Sequence, residues 1–175
     1  GGQSLTRANG SVVGAFDRME LWYLREAGIV AATTSTFVVT YGGATPSAQH
    51  FAAATYRNVD QTTPIFDSNI NAVNATTPTT LTVPVSVTAD GMAVGATVCG
   101  NTGTFTWNNG WAEGTDQSSN SASSTSADHP VSANGTDTAS STHSGPNKQA
   151  IVAMSLSVLR SGVCSAALGG DVDGD

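Results

Sequence analysis

The clearest pattern in the sequence is a strict alternation of apolar and polar side chains over residues 80–88. Four apolar side chains fall on one face of an extended chain: Leu81, Val83, Val85 and Val87. A strand of this kind buries one face against a core and leaves the other face in solvent. Because proline donates no backbone hydrogen bond, Pro84 on the second face places the strand at a sheet edge or at a bulge. The pattern predicts a fold built on sheets.

Further segments have the β-branched, aromatic or alternating composition of strands, and turn residues separate them. The predicted strands are residues 36–41, 49–58, 92–99, 105–107 and 150–159. Residues 80–88 and 92–99 are joined by a short turn, which predicts a hairpin. Residues 115–145 contain 15 Ser or Thr in 31 positions. A free loop of that length is uncommon inside a domain, so two polar strands are predicted there, at residues 121–128 and 137–143.

Residues 18–26 form the densest cluster of aromatic and aliphatic side chains in the chain. Their Met, Glu, Leu and Arg content favours a helix. A strand would have two faces, with Met19, Leu21 and Tyr23 on one and Glu20, Trp22 and Leu24 on the other. We favour the strand, because most of the following chain has strand patterns and a lone helix would have little to pack against. A strand with one face on the core and the other partly covered suits the middle of a sheet, and we predict that position.

Composition extends the β prediction to the whole chain. Charged residues make up only 11% of the 175 residues, and Gly, Ser, Thr, Ala and Asn take their place. That content suits short strands and turns and gives a hydroxyl-rich surface typical of secreted proteins. We predict an all-β protein, extracellular or at the cell surface. Residues 1–162 would form a single all-β domain, and residues 163–175 an acidic tail or linker.

Charge and hydropathy limit the partners that the chain can have. The net charge of −7 comes with no basic cluster, so nucleic acid is not an expected partner. No apolar run reaches the length of about 18 residues that a spanning helix needs, so no membrane insertion is expected.

Five segments together carry a resemblance to a known kind of module. They are residues 1–6 (Gly-Gly-Gln-Ser-Leu-Thr), 19–24 (Met-Glu-Leu-Trp-Tyr-Leu), 58–64 (Asn-Val-Asp-Gln-Thr-Thr-Pro), 90–94 (Asp-Gly-Met-Ala-Val) and 150–156. The chain up to about residue 160 resembles a jelly-roll-like β-sandwich module of large secreted bacterial surface proteins. The resemblance implies a single-domain antiparallel β-sandwich, jelly-roll-like in topology, with no catalytic residues to transfer.

The chain departs from that module at its start. Modules of this look have a further hydrophobic strand before the Gly-Gly-Gln turn, and it is missing here. A vacant strand position would leave backbone groups unpaired. One hypothesis is that a segment of another copy, or a further part of the chain, fills the vacancy by strand addition. Plain truncation of the sequence is the alternative.

The C-terminal residues 170–175 (Gly-Asp-Val-Asp-Gly-Asp) resemble the opening of a calcium loop of the dockerin or EF-hand kind. The resemblance implies that Asp171, Asp173 and Asp175 bind calcium, with further oxygen ligands from elsewhere. A solvated acidic tail is the alternative. Cys99 and Cys164 lack metal-ligand spacing, and they form either a disulfide or two free thiols.

Other candidate sites are weaker patterns. Trp22, Trp107 and Trp111, with Tyr23 beside them, are candidates for a platform on which sugar rings stack, and burial in the core is the alternative. Three acceptor patterns for N-glycosylation begin at Asn9, Asn74 and Asn134. The three histidines and many serines lack a Gly-x-Ser-x-Gly elbow, and no catalytic residue is predicted.

These patterns favour a non-catalytic extracellular structural module that assembles with copies of itself into a surface layer or filament by strand addition. One alternative is a carbohydrate-binding module of a secreted enzyme, with a polysaccharide as its partner. Another is a virion surface or fibre protein, which would have the same hydroxyl-rich β composition.

Overall fold

The computed structural model of the protein describes residues 2–13, 17–43 and 45–159, and within them it confirms the all-β prediction. These residues form ten strands and one short helix. In chain order they are β1 (Thr6–Val13), β2 (Asp17–Tyr23), α1 (Glu26–Val30), β3 (Ile65–Val73), β4 (Thr80–Val87), β5 (Met92–Cys99), β6 (Phe105–Trp107), β7 (Ala112–Ser119), β8 (Ala122–Pro130), β9 (Gly135–His143) and β10 (Gln149–Leu156).

The strands form three antiparallel sheets, and the two larger ones face each other as a β-sandwich. One sheet has five strands in the order β3-β10-β5-β8-β7, and the other has three in the order β4-β9-β6. The core between them contains Leu81, Val83, Val85, Val87, Ala93, Trp107, Trp111, Ala127, Ala139, Ile151 and Ala153. The alternating strand of the sequence is therefore β4, with its apolar face inward. It is an edge strand, as Pro84 predicted.

A glycine in β5 makes room for the two core tryptophans. Trp107 and Trp111 stack with their ring centroids 5.5 Å apart. A Cβ atom added at Gly95 would lie 2.9 Å from Trp107 and 3.0 Å from Trp111, closer than van der Waals packing allows. The indole N–H of Trp107 donates to Thr125 Oγ1 at 3.1 Å. Residues 105–111 thus form the predicted short strand and a turn, after which Trp111 packs back into the core.

The third sheet is the β1–β2 hairpin, which lies on the outer face of the five-stranded sheet. Leu21 and Ala8 of the hairpin pack against Val94, Met154 and Leu156, and Met19 packs against Val98 and Ala150. Because both faces of the five-stranded sheet are covered, every residue of β10 is buried. Of the predicted strand at residues 18–26, residues 18–23 lie in β2, whereas Glu26 begins α1. β2 pairs only with β1. The predicted position in the middle of a sheet is wrong.

The turn at residues 89–91 does not make the predicted hairpin. β4 pairs with β9, whereas β5 pairs with β10 and β8, so the turn carries the chain from one sheet to the other. The difference between the two strands explains this arrangement. β4 has one buried face, whereas seven of the eight residues of β5 are buried, and a strand covered on both faces belongs inside the five-stranded sheet.

Two predicted strands are absent, and three observed strands were not predicted. Residues 36–41 and 49–58 form no strand in the structure. The three strands that were not predicted are β1, β3 and β7. They contain many polar residues, and it is pairing with β2, β10 and β8 that makes them strands. The polar strands β8 and β9 are present close to their predicted positions.

Candidate functional site

The predicted calcium ligands Asp171, Asp173 and Asp175 lie outside the described residues, and so does Cys164. Within the described residues, no group of three or more His, Cys, Asp or Glu side chains is placed to hold a metal ion. Cys99 is buried, and burial raises the pKa of its thiol. Its sulfur atom lies 3.3 Å from both the backbone N and the backbone O of Asn147.

The structure does not bring the three predicted sugar-stacking tryptophans together. Trp107 and Trp111 are only 8% and 5% exposed, so in this fold their faces are not accessible to a sugar ring. They are core residues, which was the alternative interpretation. Trp22 is 46% exposed on β2, and its indole N–H donates to Glu20 at 3.1 Å.

The three candidate glycosylation sites differ in their surroundings. Asn9 lies in β1 and donates from Nδ2 to Ser68 Oγ at 3.1 Å. Asn134 accepts the backbone N–H of Ala89 through Oδ1 at 2.8 Å. Asn74 is exposed in the connection between β3 and β4.

A buried Ser–His pair is the arrangement most similar to a catalytic dyad. His143 Nε2 lies 2.8 Å from Ser123 Oγ. However, His143 Nδ1 accepts the backbone N–H of Gly145, so the proton of the neutral ring resides on Nε2 and is donated to Ser123. Ser123 in turn donates its hydroxyl proton to the carbonyl of Asn101 at 2.7 Å. In this tautomer the ring nitrogen facing Ser123 has no lone pair with which to accept its proton.

The other two histidines also join parts of the fold. His129 Nδ1 bonds Asp137 Oδ2 at 2.7 Å, and its ring stacks on Trp111 at 5.9 Å. His50 bonds Ser124 through Nδ1 at 2.8 Å and Ser119 through Nε2 at 2.7 Å. Burial lowers the pKa of His50, which favours the neutral ring that this bridge uses.

A row of polar side chains on β3 covers the edge of β4. The backbone N–H of Ser86 donates to Asp67 Oδ2 at 2.7 Å. Asn69 donates to the carbonyl of Pro84 at 3.2 Å, and Asn71 donates to the carbonyl of Thr82 at 2.9 Å. The three contacts are spaced two residues apart on both strands. They satisfy backbone groups that an edge strand would otherwise expose, so one side of the sandwich is closed.

Sequence reasoning missed this row, although its signal was present. In the segment Asp67-Ser68-Asn69-Ile70-Asn71, polar side chains recur at every second residue. That period identifies one face of a strand. No strand was predicted there, and Asp and Asn are residues that strands generally contain less often.

Residues 47–56 lie against β7 and β8 and are attached to them by side-chain hydrogen bonds. Besides the His50 bridge, Gln117 donates to the carbonyl of Phe51 at 2.9 Å. Tyr56 donates its hydroxyl to Asp128 at 3.2 Å, and this contact and burial together raise the pKa of Tyr56. These side-chain bonds attach the segment without forming a strand ladder.

The segment at residues 36–41 is placed against these attached residues. The rings of Phe37 and Phe51 meet edge to face at 6.2 Å, and the Tyr41 hydroxyl donates to Gln49 at 3.0 Å. Phe37, Val38 and Val39 are 60%, 75% and 39% exposed. Among the described residues, no backbone hydrogen bond joins residues 36–41 to another segment.

No helix among the described residues is long and apolar enough to span a membrane. Comparison of the chain with protein-family models, curated proteins and solved structures finds no match.

Proposed function

We propose that this protein is a non-catalytic structural module of the extracellular space or cell surface, and that copies of it assemble by strand addition. The observation that carries the proposal is that, within the part of the chain that the structure describes, one sheet edge is covered and a segment of strand composition forms no ladder. The edge of β4 is covered by Asp67, Asn69 and Asn71. Residues 36–41 have the composition of a strand but pair with no described strand.

The histidines support a non-catalytic role. His50, His129 and His143 are the side chains best suited to proton transfer near neutral pH, and each is hydrogen-bonded to side chains of other segments. His143 faces Ser123 with its protonated nitrogen, which opposes the direction of proton transfer that a nucleophilic serine needs. These groups hold strands and loops in place.

The proposed strand addition would not fill a gap inside either of the larger sheets. Neither of the two larger sheets has a gap between neighbouring strands. A strand from another copy would therefore extend a free edge or pair with an extended segment. If the same contact repeats head to tail without closing into a ring, it produces a filament.

The proposal is tested by sedimentation velocity and negative-stain electron microscopy over a range of protein concentrations, with and without calcium. We expect fibres or sheets to appear as the concentration rises. Calcium would promote assembly if Asp171, Asp173 and Asp175 bind it, and changing all three to Asn would remove that effect. A chain that stays monomeric at every concentration, with or without calcium, would contradict assembly.

Polysaccharide binding is a second candidate, and the outer face of the three-stranded sheet favours it. The residues of this face that are not buried are uncharged and mostly hydroxyl-bearing: Thr80, Thr82, Pro84, Ser86, Thr106, Thr136, Thr138 and Thr142. A face of hydroxyl groups suits a neutral, hydroxyl-rich partner. Retention of a monomeric protein on an insoluble polysaccharide would favour this candidate over assembly.

A further inference from the structure

Residues 36–41 (Thr-Phe-Val-Val-Thr-Tyr) have the composition of a strand but no strand partner in the described chain. We propose that this segment, called here the pairing segment, is the surface through which one copy of the chain pairs with the same segment of a second copy. The inference rests on the proposed function, because it identifies which part of the molecule performs the strand addition.

The chemistry of the pairing segment suits β-pairing. β-branched and aromatic residues fill it, and it contains no proline and no charge, which is the composition of segments that pair between chains. Val38 is 75% exposed and Phe37 is 60% exposed. Pairing would satisfy the backbone of the segment and remove these apolar side chains from water.

Charge identifies a second copy as the occupant. Residues 27–56 contain no Asp, Glu, Lys or Arg, whereas the whole chain carries a net charge of −7. Two copies with the same net charge repel each other. Two copies avoid this repulsion where the uncharged segment of one faces the same segment of the other. A partner that recognises charge would find no charged side chain in this segment.

The edges of β1, β2, β4, β6 and β7 have features that hinder such pairing. β1 and β7 contain bulges, and Glu113 and Asp116 add charge to β7. β2 contains Arg18 and Glu20, which form an ion pair at 2.9 Å. β6 has only three residues, and β3 side chains cover β4. Charges, bulges and short length all protect edges from pairing. The pairing segment has neither charges nor bulges.

Contacts with neighbouring residues also support the pairing segment on the sandwich, where a partner strand can reach it. Phe37 packs on Phe51, and Tyr41 bonds Gln49. Phe51 and the neighbouring His50 are in turn attached to β7 and β8. A partner strand therefore meets a segment supported by the sandwich, which lowers the entropy lost on pairing.

The test compares two exposed valines that gain the same charge. Val38→Lys places a charge in the pairing segment. Val30→Lys places it at the end of α1, where the valine is 79% exposed. In sedimentation velocity we expect the parent and Val30→Lys to assemble alike, and Val38→Lys to need at least a tenfold higher concentration. Val38→Thr keeps an uncharged β-branched residue and is expected to assemble as the parent does. Circular dichroism checks that all four proteins are folded.

Hydrogen exchange supplies the second measurement. The backbone amides of residues 36–41 are expected to exchange slowly in the assembled parent and fast in Val38→Lys. Assembly that is equally strong in Val38→Lys and Val30→Lys would disprove the role of the pairing segment. Strand addition would then occur at another edge. A parent chain that never assembles would overturn the proposed self-assembly as well, so the two failures are distinguishable.

Discussion

His143 is a buried imidazole whose two nitrogens hold different parts of the chain. Nδ1 accepts from the backbone of Gly145 and Nε2 bonds Ser123, while the ring packs edge to face on Phe105 at 4.6 Å. Each of these contacts is made by the neutral ring. Burial lowers the pKa of His143 below its ordinary value of 6.5, because the charged ring is poorly solvated there.

The lowered pKa of His143 predicts a loss of stability in mild acid. The unfolded chain binds a proton near pH 6.5, whereas the folded chain resists protonation. The free energy of unfolding should therefore fall as the pH drops below that value and level off below the lowered folded pKa. His50, whose pKa is also lowered by burial, acts in the same direction.

The measurement for this prediction is urea unfolding at several pH values between about 7 and 5, the range in which histidines titrate. His143→Gln cannot titrate and is expected to be less stable overall but to lose less stability on acidification than the parent. Equal pH dependence in the parent and in His143→Gln would show that protonation of His143 is not coupled to folding.

At the scale of elements, β3 closes the β4 edge with side chains where a further strand could have paired. Asn71→Ala removes the donor to the Thr82 carbonyl, and we expect it to lower the free energy of unfolding by about 0.5–1.5 kcal/mol. Asn74→Ala is the matched control, because Asn74 is exposed just beyond β3. It should change stability by less than about 0.5 kcal/mol. Denaturant unfolding measures both, and equal effects would contradict the role of the edge row.

The sequence predicted those elements whose side chains face a core. Leu81 and its alternating neighbours identified β4 with its buried face and its edge position, because the period of apolar side chains records burial directly. Residues 36–41 have a stronger intrinsic strand composition than β3, yet β3 is the strand. Intrinsic preference is outweighed by pairing: β3 lies against β10, and residues 36–41 pair with no strand in the described part of the chain.

The candidate sites were less predictable than the strands, for a physical reason. Whether Trp107 and Trp111 face solvent or core depends on Gly95 of a different strand, whose missing side chain leaves room for both rings. Likewise, Ser123 and His143 meet only because β8 and β9 lie in facing sheets. Contacts of this kind depend on topology, and a local pattern in one sequence does not record them.

At the scale of the whole molecule, the fold consists of the sandwich and the β1–β2 hairpin, which are held by different kinds of contact. The two larger sheets share one core. The β1–β2 hairpin has its own hydrogen-bond ladder and is held to the five-stranded sheet by side chains such as Met19 and Leu21. Opening the hairpin would break these contacts but leave the core of the sandwich in place. Elements with few contacts to the body open at a lower free energy than the core.

Native-state hydrogen exchange should therefore separate the hairpin from the sandwich. We expect amides of β1 and β2 to exchange at a lower free energy of opening than amides of β10, which exchange only when the whole molecule unfolds. Val83→Ala trims the sandwich core, where Val83 is 1% exposed. It should lower the opening free energy of β10 amides by about 2 kcal/mol and leave that of the hairpin unchanged, because the hairpin opens without disturbing Val83. If Val83→Ala lowers both by the same amount, the hairpin and the sandwich unfold as one cooperative unit, and their separation is disproved.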